Sequence, residues 1–421
     1  MLRERRRMSL SAAVGGRAMT GRGVAAEADL DAGVPLRERL ATATAYGLAC
    51  LLHVLTASSL ICGVLLVLRL EAVVQPLIGL VLILCAVLLR PRLGRLDPDL
   101  PTLAREEAPA LYALLDDVAD AVGVRRLDVV QVGTDFSVRV TTFGVRRRRR
   151  LVLGYPLWLT SAPQQRVAAL AHELGHFASR DVRRGALVGL ALASLAAGAE
   201  EMEHRTVVTE AAFDTSPLSR YADEMAVAAA RFKAHGRTVN WVLWIPGLLM
   251  KGTARLLARL TLPSARRAEF QADAVAARVA STRAAVSALH DRRLGDVVTI
   301  EVHRLAVAVR TLGRTGSARS VDQDFWAKVG AHAASSRGST RNDPDRVGAG
   351  DGTPADSDPL GRQDKDPGLP AIGLRATRLS TGAAYPATVL LDAARADAIE
   401  NELRGPKRLL ARKIVQDCVQ A

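Results

Sequence analysis

The sequence predicts a mainly helical α+β fold with a small sheet, tethered by a pair of apolar N-terminal helices. Three observations predict it. Two long apolar runs lie close together before residue 90, and short Val- and Leu-rich strand patterns follow between residues 127 and 153. Most of the remainder has helical spacing, with polar residues gathered on two of the helices. At 421 residues the chain can bury a large core and hold more than one domain.

Composition narrows the partners. The net charge of +14 comes almost wholly from arginine, 51 residues against 6 lysines. Basicity of this size attracts anionic lipid or nucleic acid. No interleaving of aromatic and basic residues supports nucleic acid, so none is expected as a partner. The cysteines, Cys50, Cys62, Cys85 and Cys418, show no CxxC spacing, which argues against a disulfide framework.

Residues 1–43 lack periodicity and read as a disordered basic tail. Ala45–Leu68 is apolar for 24 residues, enough for the ~20 that a bilayer-spanning helix needs. Ala72–Leu89 is a second apolar run, so residues 44–90 read as a transmembrane hairpin with the lipid bilayer as partner. Arginines crowd its two outer ends and only Arg69 lies in the turn, which by the positive-inside rule puts both ends in the cytoplasm. Glu106–Val122 reads as a helix, and Leu127–Val132, Ser137–Val140 and Arg149–Leu153 as strands. The Arg146–Arg150 run reads as a solvated hairpin turn, with contact to anionic headgroups as its alternative. An edge strand close to the next helix would align an extended peptide by main-chain hydrogen bonds.

That next helix carries His172-Glu173-Leu174-Gly175-His176. On a helix, residues four apart share a face, so His172 and His176 offer two imidazoles to one Zn²⁺ and Glu173 stands beside them as a base for water. Ser161 and Gln164 read as a capping box, with Pro163 tolerated in the first turn. Val167, Leu170, Leu174 and Phe177 form the opposite, core-facing side. Downstream, Gly185–Ala199 and Trp241–Met250 are short apolar stretches, the second broken by Pro246, and Lys251, Arg255 and Arg259 mark a basic amphipathic helix. If His176 and a later ligand meet at one metal, the 185–262 region crosses the membrane twice or not at all; the short lengths favour interfacial contact. Glu269 and Asp273 then share a helix face, Glu269 as third ligand and Asp273 as hydrogen-bond acceptor for a ligand histidine.

HELGHFASRD followed by RRAEFQADAVAA resembles the HtpX and CAAX prenyl endopeptidase family of integral-membrane zinc metallopeptidases, over about residues 45–280. The resemblance implies a gluzincin-like domain with one Zn²⁺ per chain held by His172, His176 and Glu269, Glu173 as catalytic base and Asp273 in support. Family members usually carry a His-Pro pair followed by an Arg; here Leu369-Pro370 stands in its place, with Arg375 in register as a second catalytic group that would bind the developing oxyanion or a substrate carbonyl. The peptidase domain is expected over 91–333 and 369–421, separated by a disordered insertion at 334–368. His204, His235, His290, His303 and His332 have no ligand spacing. The function expected is a multi-pass endopeptidase of the bacterial cytoplasmic membrane, its catalytic domain facing the cytoplasm and protein or peptide as substrate, in membrane-protein quality control. The alternative is a zinc-binding relative of little activity that serves as a membrane scaffold.

Overall fold

The computed structural model describes residues 35–69, 74–91, 94–178, 187–201, 226–312, 318–341 and 370–417. The chain divides into two compact units, Met1–Leu89 with Leu195–Ser264, and Arg90–Ser194 with Ala265–Ala421.

The first unit holds α1 (Leu36–Leu68) and α2 (Val74–Leu88), which pack side by side. Their contact is made of small residues. Ala45, Ala49, Thr56 and Gly63 are the buried positions of α1, on a stripe repeating every seven residues or nearly so, and Gly79 and Ala86 continue it on α2. A Cβ on Gly63 would lie 2.7 Å from the Gly79 carbonyl oxygen, and one on Gly79 equally close to that of Gly63. Glycine is therefore required at the crossing. The large side chains face the other way: Leu51 is 63% exposed and Leu80 62%. Small residues inside and large apolar ones outside invert the pattern of a water-soluble bundle. α1 is long and apolar enough to cross a membrane, and α2 is a shorter apolar helix. α1 begins at Leu36, so the last residues of the expected tail are helical; Arg37, Glu38 and Arg39 there are poor in apolar signal but sound helix formers.

A 55-residue helix, Ala226–Ala280, contributes to both units and runs without interruption through Pro246, where the sequence suggested a break. A proline removes one ladder bond, and long Ala- and Leu-rich flanks on both sides carry the helix past it. The basic amphipathic stretch around Lys251 is thus the middle of a longer helix.

The second unit is built on a four-stranded sheet, β1 (Thr102–Leu103), β2 (Val129–Gly133), β3 (Val138–Phe143) and β4 (Arg148–Gly154), in the order β1-β2-β4-β3. β2 and β4 run parallel and β3 returns antiparallel to β4, with Val138 opposite Leu153. That order leaves β3 at an edge. The β3–β4 turn places Gly144 at φ 67° and Arg147 at φ 49°; of the arginine run read as a hairpin turn, Arg146 and Arg147 lie exposed in it, while Arg148–Arg150 already belong to β4, paired with β3. At the other end of β4, a side chain on Gly154 would strike the carbonyl oxygens of Asp135 and Ser137, and only glycine fits.

Helices α3 (Pro109–Val122), α4 (Tyr155–Thr160) and α5 (Pro163–Gly175) precede 187–201. After the 55-residue helix, here α7 with 187–201 as α6, come α8 (Thr282–Asp291), a 3-10 turn (Arg292–Leu294), α9 (Gly295–Leu312), α10 (Ala318–Arg341), α11 (Ile372–Thr381), α12 (Ala393–Glu402) and α13 (Arg404–Asp417). Val167, Leu170 and Leu174 of α5 are buried in one core with Leu115, Val132, Leu153 and Trp158. α10 continues through Arg341 into the segment read as a disordered insertion, because Ala- and Ser-containing polar sequence is compatible with helix when one face has a core to meet. The rest of that insertion, and Leu369, lie outside the described residues.

Candidate metal centre

The centre forms where the end of α5 meets the last turns of α7. Their approach depends on Gly175, whose missing Cβ would sit 3.1 Å from the Ala272 Cα and 3.2 Å from the Val275 Cβ. The entry to α5 is fixed at one residue later than the sequence suggested. Ala162 is the N-cap and has no oxygen to offer, so only the reverse half of a capping box forms: the Ala162 N–H donates to Gln165 Oε1 at 2.7 Å. Gln164 instead ties α5 to the ends of other segments, donating to the carbonyls of Ala280 (3.0 Å) and Val389 (2.7 Å).

His172 lies inside α5, and His176 follows its last turn still in helical conformation, at φ −60° and ψ −24°. The rings stand 4.9 Å apart, and both Nε2 atoms face Glu269 from α7. His172 Nε2 is 3.6 Å from Glu269 Oε2, and His176 Nε2 is 3.5 Å from Glu269 Oε1. One ligand atom from each of the three lies within 4.8 Å of the others. A tetrahedral ion with bonds of ~2.0–2.1 Å holds its ligand atoms roughly 3.3 Å apart, and the two imidazole–carboxylate separations lie within a few tenths of an ångström of that spacing. His176 is the more open of the two ligand candidates, its side chain 28% exposed against 6% for His172.

Two residues hold this arrangement. His172 Nδ1–H donates to Asp273 Oδ1 at 3.0 Å, which fixes the tautomer and leaves the Nε2 lone pair for a metal. Arg375, on α11, donates to both Asp273 oxygens at 2.7 Å and reaches Glu269 Oε2 at 3.0 Å. All of Asp273, Arg375 and His172 are buried. Burial alone would raise the Asp273 carboxyl, but hydrogen bonds from Arg375 and His172 outweigh it and hold it well below the usual carboxylate range. Burial lowers His172 to about 3 and also lowers His176, so both stay neutral and able to ligate.

Glu173 lines the same cleft as His172 and Glu269 and is held by the sheet edge. The Val140 N–H of β3 donates to its Oε2 at 3.4 Å, and burial pushes its carboxyl up to about 7. The same edge strand borders a cleft of about 1150 Å³ that includes Ser137, Val138, His172, Glu173 and Glu269. Arg292, at the start of the 3-10 turn, lines this cleft too. Sequence reasoning missed it, because an arginine in the charged stretch HDRRLGD carries neither motif nor period. Of the predicted site residues, the structure gathers His172, Glu173, His176, Glu269, Asp273 and Arg375 around one point.

Residues 107–292 match the model of peptidase family M48, somewhat under half of the chain. No curated protein and no solved structure matches the chain. The family match, which takes in the two histidines, Glu173, Glu269 and Asp273, supports a metallopeptidase hydrolase; such a family implies a metal ion, and His172, His176 and Glu269 are the residues that could hold it.

Proposed function

We propose that this metallopeptidase is a membrane-anchored zinc endopeptidase of the HtpX-like kind. It cleaves extended protein segments on the cytoplasmic side. The observation that carries the reading is the meeting of His172, His176 and Glu269 at ligand distance, with Glu173 beside them in a cleft bordered by β3, the edge strand of the described sheet. His₂Glu is a ligand set that leaves room for water and substrate. A bound Zn²⁺ would supply a Lewis acid and bring a water within reach of deprotonation near neutral pH.

The chain's own residues do the rest. The substrate lies along β3, paired through main-chain hydrogen bonds at the edge that no other described strand covers. Glu173 accepts the proton of the attacking water and returns it to the leaving amine, a role suited to a carboxylate near 7. Arg375 is a positioning residue: its fork is committed to Asp273, which orients His172, and to Glu269. This use differs from the oxyanion contact suggested by register alone.

Membrane anchoring rests on α1, on the outward-facing leucines of the hairpin, and on the arginines at its outer ends. Damaged or misassembled membrane proteins are the substrate class that the family resemblance implies. Leu369, in place of the usual histidine, favours the second reading, a zinc-binding scaffold without turnover. Metal analysis of detergent-purified protein together with casein digestion separates them. One zinc per chain with chelator-sensitive cleavage supports the enzyme, and zinc without cleavage supports the scaffold.

A further inference from the structure

We propose that Arg292 is a specificity-determining residue that binds a carboxylate of the substrate, so that the cleft selects peptides bearing an acidic side chain or a free C-terminus beside the scissile bond. The inference rests on the peptidase reading above and deepens it. Arg292 opens the 3-10 turn Arg292–Leu294 between α8 and α9; it lines the cleft that also holds Glu173 and Glu269, and its guanidinium lies within the field of both carboxylates. It is only partly exposed. Among the described residues its guanidinium has no hydrogen bond or ion pair.

The neighbours explain why it is free. Glu173, Glu269 and Asp273 all lie within its field, but each is engaged elsewhere. Asp273 is held by both arms of Arg375, and Glu269 by Arg375 at 3.0 Å. Glu173 turns to the Val140 N–H. The adjacent Asp291 pairs with Arg337 at 2.8 Å. Of the other arginines lining the cleft, Arg375 is committed and Arg139 lies exposed on the strand edge. A guanidinium cannot shed its charge, and holding it part-buried without a partner is costly. Its planar fork matches a carboxylate with two parallel hydrogen bonds. A peptide added to β3 enters the same cleft, and its carboxylate supplies the missing partner.

The test is binding, measured with full-length Glu173→Gln protein in detergent, loaded with zinc so that peptides are held and not turned over. The probes are labelled octapeptides of alanine and leucine with one Glu walked along the chain, a matched Gln series, and each as free acid and as C-terminal amide. Fluorescence anisotropy should give one Glu position, or the free acid, about 10–100-fold tighter than its neutral match, the range for a charge-assisted pair. A Glu–Gln difference identifies a side-chain carboxylate, and an acid–amide difference identifies the chain terminus. Arg292→Met should erase the difference, and Arg292→Lys, which keeps charge but loses the fork, should shrink it. Should the Met variant unfold or lose zinc, the Lys variant carries the comparison. Equal binding of matched peptides, binding of none, or a preference that survives in both variants overturns the proposal. So does equal weakening of every peptide by Arg292→Met, which would assign the guanidinium to the substrate main chain. If the preference holds but wild type never cleaves, the peptidase reading fails and the carboxylate site stands.

Discussion

Asp273→Asn is the substitution that most sharply separates a built metal centre from a chance meeting of three side chains. Asp273 accepts three hydrogen bonds, one from His172 Nδ1 at 3.0 Å and two from Arg375 at 2.7 Å. Asparagine keeps the shape but has one accepting oxygen, and its NH₂ must face either His172 Nδ1–H or an Arg375 N–H, donor against donor. At least one charge-assisted bond is lost, worth about 1.5–3 kcal/mol. Arg375 stays buried beside Glu269 but loses a full counter-charge, so the total cost to stability should approach the ~3–5 kcal/mol of a broken buried pair. His172 loses its orienting partner, and zinc affinity should fall about 10–100-fold. Chelator competition on detergent-purified protein reads the affinity, and thermal unfolding in excess chelator reads the stability. Asp296→Asn, at an exposed carboxylate lining the same cleft, is the control and should change neither. Zinc binding by Asp273→Asn within twofold of wild type would refute the reasoning, because it would mean that His172 needs no support from Asp273.

The raised Glu173 carboxyl predicts a pH dependence of stability in chelator-stripped protein. Its folded pKa of about 7 lies above the ordinary carboxyl value of 4.5, so its contribution is fully present below about 4.5 and is lost as pH rises through 7. The loss amounts to about 3 kcal/mol at ~1.4 kcal/mol per pKa unit, and it should appear as the difference between wild type and Glu173→Gln melting curves at pH 5 and pH 8. Parallel curves would show that the carboxyl is not buried as described. For topology, reporter fusions after Arg95 and at the C-terminus should both report the cytoplasm, and a periplasmic signal from either overturns the hairpin orientation.

The centre was legible where helical geometry alone places atoms. A four-residue spacing sets His172 over His176 and Glu269 over Asp273, whatever the rest of the fold does. Arg375 was found by register, but its direction was not, because only the tertiary approach of α11 to α7 decides that its fork meets Asp273. The cap moved by one residue since Pro163 occupies the first turn and Ala162 precedes it, a choice settled by which glutamine reaches back. Strand patterns gave β2 to β4 within a few residues, yet the order that leaves β3 at the edge depends on the parallel pairing of β2 with β4, which no local pattern encodes. Prolines misled in α7, where an apparent break at Pro246 lies inside one helix. Arg292 was invisible because its significance lies in lacking a partner, and absence of a partner is a property of packing.

The central claim is that Glu173 moves protons at a zinc centre built by His172, His176 and Glu269. It is tested most directly by comparing wild type with Glu173→Gln at equal zinc content on an unfolded protein substrate. Glu173 is not among the three ligands, so its loss should leave one zinc bound while turnover drops by about 10²–10⁴-fold, the usual contribution of a general acid–base group. Equal cleavage rates with one zinc in each would contradict the role of Glu173, and equal absence of cleavage would leave the chain a metal-binding scaffold.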